Sequence, residues 1–367
     1  GLNIAASTSK QNYPRSAGSA YVNSFMWSRM IAPIYPVYLY DLNGDAVLDA
    51  DGNKLFDYGD EFGRSRTYSA NSNPLGVLTL DRRLYKDDNL STRGYMEFYF
   101  LEDFKLTING SADYQGSYNL SHQNALEGDA QSFGGRSTVS SSRRFNFQSN
   151  QLLNYNKSFD LHNLDVLVGH ESTLYKYNSL SATRTGFPFG GLFELDAAAV
   201  LEDAGSYENN FRMESYLSRL NYDYKNRYYV SGSFRTDGSS RFAEEFRWGT
   251  FWSVGGSWRL SQETFMSGVS WVNNLRIKAS YGAQGNDNLG TYYAYQGLYA
   301  LGWNNIGYPG LIANRLPTPE LLWEKNNSMN LGLDFTIFER LDVNFEYYVR
   351  KSNDLLFYVP LPSSTGF

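Results

Sequence analysis

From Met329 the chain alternates without exception: Met329, Leu331, Leu333, Phe335 and Ile337 at odd positions, Asn330, Gly332, Asp334 and Thr336 between them. A period of two belongs to a strand with one apolar and one polar face. After Phe338-Glu339-Arg340 the period resumes, with Leu341, Val343, Phe345, Tyr347 and Val349 set against Asp342, Asn344, Glu346, Tyr348 and Arg350. The pair predicts a hairpin. Thr250–Leu260 and Phe104–Tyr114 follow the same grammar. Weaker copies at Leu2–Thr8, Gly94–Leu101, Phe145–Tyr155, Leu164–His170, Tyr216–Tyr224, Tyr228–Phe234 and Leu275–Tyr281 bring the expectation to about eleven strands, with misfits such as Leu167 on a polar face.

The connections alternate in length. Short ones are expected at Leu101–Phe104, Tyr155–Leu164, Tyr224–Tyr228, Ser261–Asn273 and Phe338–Leu341, and long ones at 10–93, 115–142, 171–211, 237–247 and 283–323. All the long loops therefore gather at one end of the sheet. Short turns at one end, long loops at the other and strands of about ten residues describe an outer-membrane barrel. A soluble β-sandwich has no reason to sort its loops in this way. Trp248 and Trp258 share a face ten residues apart, about 33 Å along a strand. A tilt near 40° reduces this to about 25 Å of height, the thickness of the lipid-facing band between two aromatic girdles. The fold class is all-β, a transmembrane antiparallel β-barrel, with residues 1–367 forming one partial barrel. Because bacterial single-chain barrels close with an even number of strands, eleven implies a piece of a larger barrel. Phe367 is tempting as a terminal assembly signal, but Ser363-Ser364-Thr365-Gly366 lacks alternation, so truncation is expected there.

Composition agrees with this reading. Tyr (30), Phe (24) and Trp (7) make the chain 17% aromatic while charged residues reach only 19%, which argues against disorder. A net charge of -6 and a pI near 5.3 argue against nucleic-acid binding. The mean hydropathy of -0.47 is what a barrel shows, because alternating strands dilute their own signal. The longest stretch without a polar residue, Met30–Tyr40, is too short for a spanning helix, and no secretion signal opens the chain.

Candidate chemistry is sparse. With no Cys, disulfides, thiolate metal sites and cysteine nucleophiles are excluded. Ser7-Thr8-Ser9-Lys10 has the Ser-x-x-Lys spacing of penicillin-recognising enzymes, but it ends a strand, so Ser7 and Lys10 face opposite ways. His122, His162 and His170 lack metal-ligand spacing. Asp41-Leu42-Asn43-Gly44-Asp45 and Asp49-Ala50-Asp51-Gly52-Asn53 resemble parts of a calcium loop without its closing Glu, and they read as turns of a small hairpin over Val37–Tyr58. Glu244-Glu245 reads as a solvated pair. No catalytic residue, metal site or cofactor is expected.

Several stretches resemble the SusC/RagA family of TonB-dependent outer-membrane importers of the Bacteroidetes. They are YLSRLNYDYKNRYYVSGSFRTDGSSRF at Tyr216–Phe242, RWGTFWSVGGSWRLSQETFM at Arg247–Met266, LRIKASYGAQGNDNLGTYY at Leu275–Tyr293 and LLWEKNNSMNLGLDF at Leu321–Phe335, with MIAPIYPVYLYDLNGD at Met30–Asp45 and QLLNYNKSF at Gln151–Phe159. The resemblance implies a 22-stranded barrel plugged by an N-terminal domain. Plug, TonB-contacting segment and terminal strands have no counterpart here. It also implies active import of an oligosaccharide or a peptide with a SusD-like lipoprotein as lid, the long loops docking that lid; a passive barrel or a surface-binding β protein is the alternative. Within the family's motif, Asp237, Gly238 and Arg241 suit a tight loop in which Arg241 pairs with Asp237 or a neighbouring loop. The ligand-contact candidates are Tyr292, Tyr293, Tyr295, Tyr299, Trp303 and Tyr308 with Asn304, Asn305 and Asn314, rings for sugar faces and amides for hydroxyls, against the alternative that they pack loops or dock the lid. Tyr292–Pro309 contains no Asp, Glu, Lys or Arg, which favours a glycan over a peptide.

Overall fold

Among the described residues, eleven strands join edge to edge in a single antiparallel sheet that follows chain order with one hairpin left out of it. The computed structural model describes residues 1–13, 23–63, 65–67, 72–362 and 364. Its strands are β1 (Leu2–Asn12), β2 (Arg82–Phe100), β3 (Phe104–Gln123), β4 (Arg136–Phe159), β5 (His162–Thr185), β6 (Val200–Tyr224), β7 (Tyr228–Ser239), β8 (Trp248–Arg259), β9 (Val272–Asn286), β12 (Glu324–Ile337) and β13 (Leu341–Asn353). Between β9 and β12 the chain makes a separate hairpin, β10 (Leu298–Asn305) and β11 (Tyr308–Arg315). All but one of the expected terminal residues Ser363–Phe367 lie outside the described residues.

The connections at the long-loop end are shorter than the alternation suggests, because the strands run on. β2 already begins at Arg82, β3 continues to Gln123, β4 starts at Arg136, β5 ends at Thr185 and β6 starts at Val200. The three central strands are 24, 24 and 25 residues long. Beyond the apolar band both faces meet water, so the side-chain pattern fades while backbone pairing persists.

Register carries each face across the sheet. Leu331 lies opposite Ala279 and Tyr347, and Leu333 opposite Ile277 and Phe345. This outward face leaves many large apolar side chains exposed, among them Met96, Phe98, Leu220, Phe234, Trp252 and Leu331. An apolar surface of that extent is a lipid surface. At the short-turn end, stacked rings rim it: Phe100 on Phe104 (5.5 Å), Phe104 on Tyr155 (4.7 Å), Phe159 on His162 (5.1 Å), His162 on Tyr224 (4.7 Å), and Tyr228 between Tyr224 (6.3 Å) and Trp258 (6.2 Å). At the long-loop end His170, Tyr216 and Trp248 form the second rim, His170 5.0 Å and Trp248 6.1 Å from Tyr216. Trp248 and Trp258 thus stand in opposite girdles. Between the rims the outward positions of all eleven strands carry no Asp, Glu, Lys or Arg.

The inward face is wet and ionic. Arg219 pairs with Asp165 (3.6 Å), Arg235 with Asp237 (2.6 Å) and Glu171 (3.5 Å), and Lys278 with Asp334 (3.0 Å) and Glu346 (3.1 Å). Leu167, the sequence misfit, shares this face with Leu152 and Leu217, which close over Gly169 so that a side chain there would collide with Leu152 and crowd Leu217.

The connection from β1 to β2 contains two short helices that no periodicity announced, α1 (Ser24–Met30) and α2 (Pro74–Leu80). Each is capped by an asparagine side chain accepting from the first-turn amides, and Asn73 also donates to the carbonyls of Val37 (2.8 Å) and Asp57 (3.0 Å). The expected hairpin over Val37–Tyr58 is instead a closed three-armed motif in which each arm bridges both others, at Tyr38–Phe56, Tyr40–Ala46 and Leu48–Lys54. Its carboxylates serve the turns. Asp41 accepts from the backbone amides of Asp45 and Asn43, and Asp49 from the Asn53 side-chain amide and the backbone amides of Asn53 and Asp51, which holds both below the ordinary carboxylate range. Among the described residues no three His, Asp or Glu side chains are placed to hold a metal ion.

Glu127, in the β3–β4 connection, is 2% exposed and packs against Gly76 of α2 and Tyr58. Burial pushes its carboxyl up to about 9, aided by Asp81 and Glu61 and opposed by the Asn73 amide and Arg66. The folded state therefore holds a proton that the unfolded chain releases near its ordinary value of 4.5. The stability this lends is complete below that value and is lost as pH rises through about 9. Glu127→Gln keeps the shape without the charge, so the contact between the two loops should become independent of pH, while the parent loosens between pH 5 and 9. Hydrogen exchange of the α2 amides across that range checks it; parallel pH profiles would refute it.

Candidate ligand and partner interface

At the long-loop end the turn from β7 to β8 folds inward as a plug of side chains. Phe242 is fully buried, wedged against Trp323 (ring centroids 5.3 Å), which meets Phe251 edge-on at 5.4 Å. Met213, Leu289 and Leu321 close the cluster, and the Trp323 indole donates to the Arg247 carbonyl (2.9 Å). Both roots of the segment between β9 and β12 are thereby held. Phe251 faces inward because it lies opposite Arg235 on β7, so it is an inward aromatic on a strand whose outward positions are also aromatic. Alternation alone could not single it out.

The motif Asp237–Phe242 supplies the clamp, but Asp237 and Gly238 lie in β7, paired with Gly249 and Trp248 of β8, and not in the expected tight loop, which begins only after Ser239. Asp237 is taken by Arg235 (2.6 Å), while Arg241 reaches the other way, donating from Nη1 to the Asp287 carbonyl (2.9 Å) and lying 3.3 Å from its carboxylate. The Ser239 hydroxyl donates to the same carboxylate (2.7 Å). The guanidinium lies over Phe211 (4.8 Å) and Tyr292 (5.3 Å), a cation–π arrangement that suits a half-desolvated Arg. The Ser240 hydroxyl and amide pair with the Arg212 backbone, tying the turn to β6.

The aromatic candidates divide into two groups. Tyr292 is wall-bound, stacked between Tyr175 (5.8 Å) and Phe211 (5.8 Å), and the Tyr293 hydroxyl accepts from the Asn210 amide (3.0 Å). The Tyr295 hydroxyl accepts from the side-chain amide of its neighbour Gln296 (2.9 Å). Tyr299, Trp303 and Tyr308 stand on the β10–β11 hairpin, exposed, with Asn305 opposite Tyr308 in the ladder. Trp303 lies across from Gly310, and Asn304 Oδ1 accepts from the Gly307 amide (2.7 Å). Between them Ile306 adopts φ 52 and is 93% exposed, a left-handed conformation rarely taken by a β-branched residue. The structure thus brings Tyr292 and Tyr293 to the barrel wall and carries Tyr299, Trp303 and Tyr308 away from it.

Residues 34–367 match the family model described as TonB dependent receptor-like, beta-barrel. The chain belongs to the TonB-dependent receptor-like β-barrel family. Among relatives of this family, TonB-dependent receptor P39 of Formosa agariphila is 32% identical over 268 residues, 72% of this chain and 26% of that protein. TonB-dependent receptor SusC of Bacteroides thetaiotaomicron is 28% identical over 309 residues, 80% of this chain and 30% of that one. A chain in the solved structure of the RagAB peptide transporter superposes on the whole of this chain with a TM-score of 0.78 at 23% identity, 40% of its own length being covered. The chain spans about a third or less of the curated relatives it matches, and the matched region is the receptor barrel of the outer membrane.

Proposed function

We propose that this sheet is part of the wall of an importer that takes an oligosaccharide across the outer membrane, drawing energy from TonB through segments outside this chain and closed at its long-loop mouth by a SusD-like lipoprotein. Membership of the receptor family and the similarity to SusC support import. The observation that carries the substrate class is the hairpin. It offers Tyr299, Trp303 and Tyr308 to solvent beside Asn305, in a stretch, Tyr292–Pro309, without a single Asp, Glu, Lys or Arg. Flat rings cover sugar faces and amides meet hydroxyls, whereas a charged peptide calls for ionic partners. The same exposed rings support contact with a lid, since large apolar side chains are costly to leave in water.

In the whole protein, Trp303→Ala and Tyr308→Ala should each weaken capture of neutral oligosaccharides about three- to tenfold at unchanged surface expression. The probes are a panel of neutral oligosaccharides and a panel of oligopeptides, titrated against both variants. Unchanged affinity in both would move the ligand site elsewhere. Binding of the peptides alone would replace the substrate class by that named for the RagAB peptide transporter. A native purification that yields the barrel with no stoichiometric partner would remove the lid.

A further inference from the structure

Just beyond the upper rim, the outward face turns basic. Arg143 stands two residues past Phe145, Lys176 two past Leu174 and Lys351 two past Val349, each on the same outward side of its strand. Lys10, Lys86, Arg212 and Lys325 stand four residues past Ala6, Leu90, Tyr216 and Met329. At about 3.3 Å per residue and a tilt of about 40°, two to four residues rise about 5 to 10 Å above the apolar band. That is the layer of lipid headgroups, which adds about 5 to 8 Å to each side of the hydrocarbon.

All seven side chains belong to exposed residues, and none has a carboxylate within ion-pair distance among the described residues. The inward face differs in part: Arg93 and Arg276 have no carboxylate within ion-pair distance among the described residues, but other inward cations do. There Arg219, Arg235 and Lys278 are each paired, and at the opposite rim the outward Lys157 is held by Asp103 at 2.5 Å. Three carboxylates share the basic zone. Glu214 is engaged by His170 (3.1 Å) and Tyr216 (3.0 Å), and Glu208 by Asn178 (3.3 Å) and Asn210 (2.7 Å), which leaves Asp88 exposed beside Lys86. The zone is therefore net positive and continuous with a charge-free lipid surface. Long cationic side chains at such a height lay their stems on the apolar band and hold their heads among the headgroups.

We propose that this outward basic belt binds the phosphate groups of anionic outer-leaflet lipid, retaining a shell of that lipid beneath the long-loop rim. The proposal rests on the outer-membrane placement and not on the identity of the nutrient, so its readouts contain no nutrient. The whole protein in detergent is titrated with diphosphoryl lipid A, with dephosphorylated lipid A, with phosphatidylcholine and with sodium phosphate. Diphosphoryl lipid A should bind at least tenfold more tightly than the two lipids without net charge, and sodium phosphate should not displace it. An interfacial cation is worth about fivefold. The variant Lys86→Gln/Arg143→Gln/Lys176→Gln/Lys325→Gln should accordingly lose at least tenfold in affinity, while Lys157→Gln at the opposite rim should lose nothing. Heat-dependent gel mobility reports assembly. Should the fourfold variant not assemble, Lys86→Gln/Arg143→Gln and Lys325→Gln/Lys351→Gln are measured separately, each with an expected loss of about fivefold or more. Wild-type affinity in the assembled variants would overturn the proposal, as would equal binding of dephosphorylated lipid or displacement by sodium phosphate. A variant that keeps its lipid but sheds a co-purifying acidic protein would make the belt a protein-docking surface and overturn it equally.

Discussion

Leu333→Arg is expected to abolish assembly of the barrel, whereas Asn330→Arg, three residues away on the same strand, should assemble. Leu333 lies near the middle of the outward band, flanked by Ile277 and Phe345, where a cation costs roughly 2–4 kcal/mol. Asn330 faces inward beside Ser280 and is exposed to the lumen, so an arginine there finds water. The adjacent inward position makes a poorer control than alternation alone suggests. Asp334 accepts an ion pair from Lys278 (3.0 Å) and lies opposite Arg276, so Asp334→Arg would set three cations together and lower stability without touching lipid. Heat-dependent gel mobility of the three variants in membranes separates these cases. Equal assembly of Leu333→Arg and Asn330→Arg would contradict the lipid-facing assignment.

The second large effect belongs to Phe242→Ala. Removing a fully buried ring that packs on Trp323 should cost about 3–5 kcal/mol, and the loss falls on the clamp and not on the ladder. The barrel should keep its gel mobility while the β10–β11 hairpin becomes cleavable by protease in intact cells and a spin label at Trp303→Cys becomes more mobile. Arg241→Ala should do the same to a smaller degree, since the Asp287 backbone and carboxylate lose a donor while the ring cluster stays. If the hairpin stays protected in Phe242→Ala, the segment is held by contacts other than this cluster.

The strands legible in the sequence were those whose two faces meet different solvents. Met329–Ile337 shows its period because lipid and lumen demand opposite chemistries at every step. Above the rim that demand ends, and β4 continues through Ser140, Ser141 and Ser142 with nothing in its side chains to distinguish strand from loop. Helices α1 and α2 span barely two turns each, too few for a periodicity to accumulate; Asn73-Pro74 was the one local hint, an asparagine cap before a proline. In the candidate site, composition marked the aromatic segment but could not separate Tyr292, spent on the wall, from Tyr308, free on the hairpin. That distinction depends on Phe211 and Tyr175, which come from distant strands. Arg241 posed the same problem, because its partner Asp287 lies 46 residues away in sequence.

The height of the central strands has a mechanical meaning. β6, at 25 residues, rises about 60 Å along the barrel axis, more than twice the apolar band it crosses. Its upper half is hydrogen-bonded ladder on the β5 side as far as Thr185, so the mouth is framed by stiff masonry in place of pliable flaps. A closing partner that meets such a parapet finds a contour fixed in advance, and the burden of adaptation, in shape and in motion, falls on the cover.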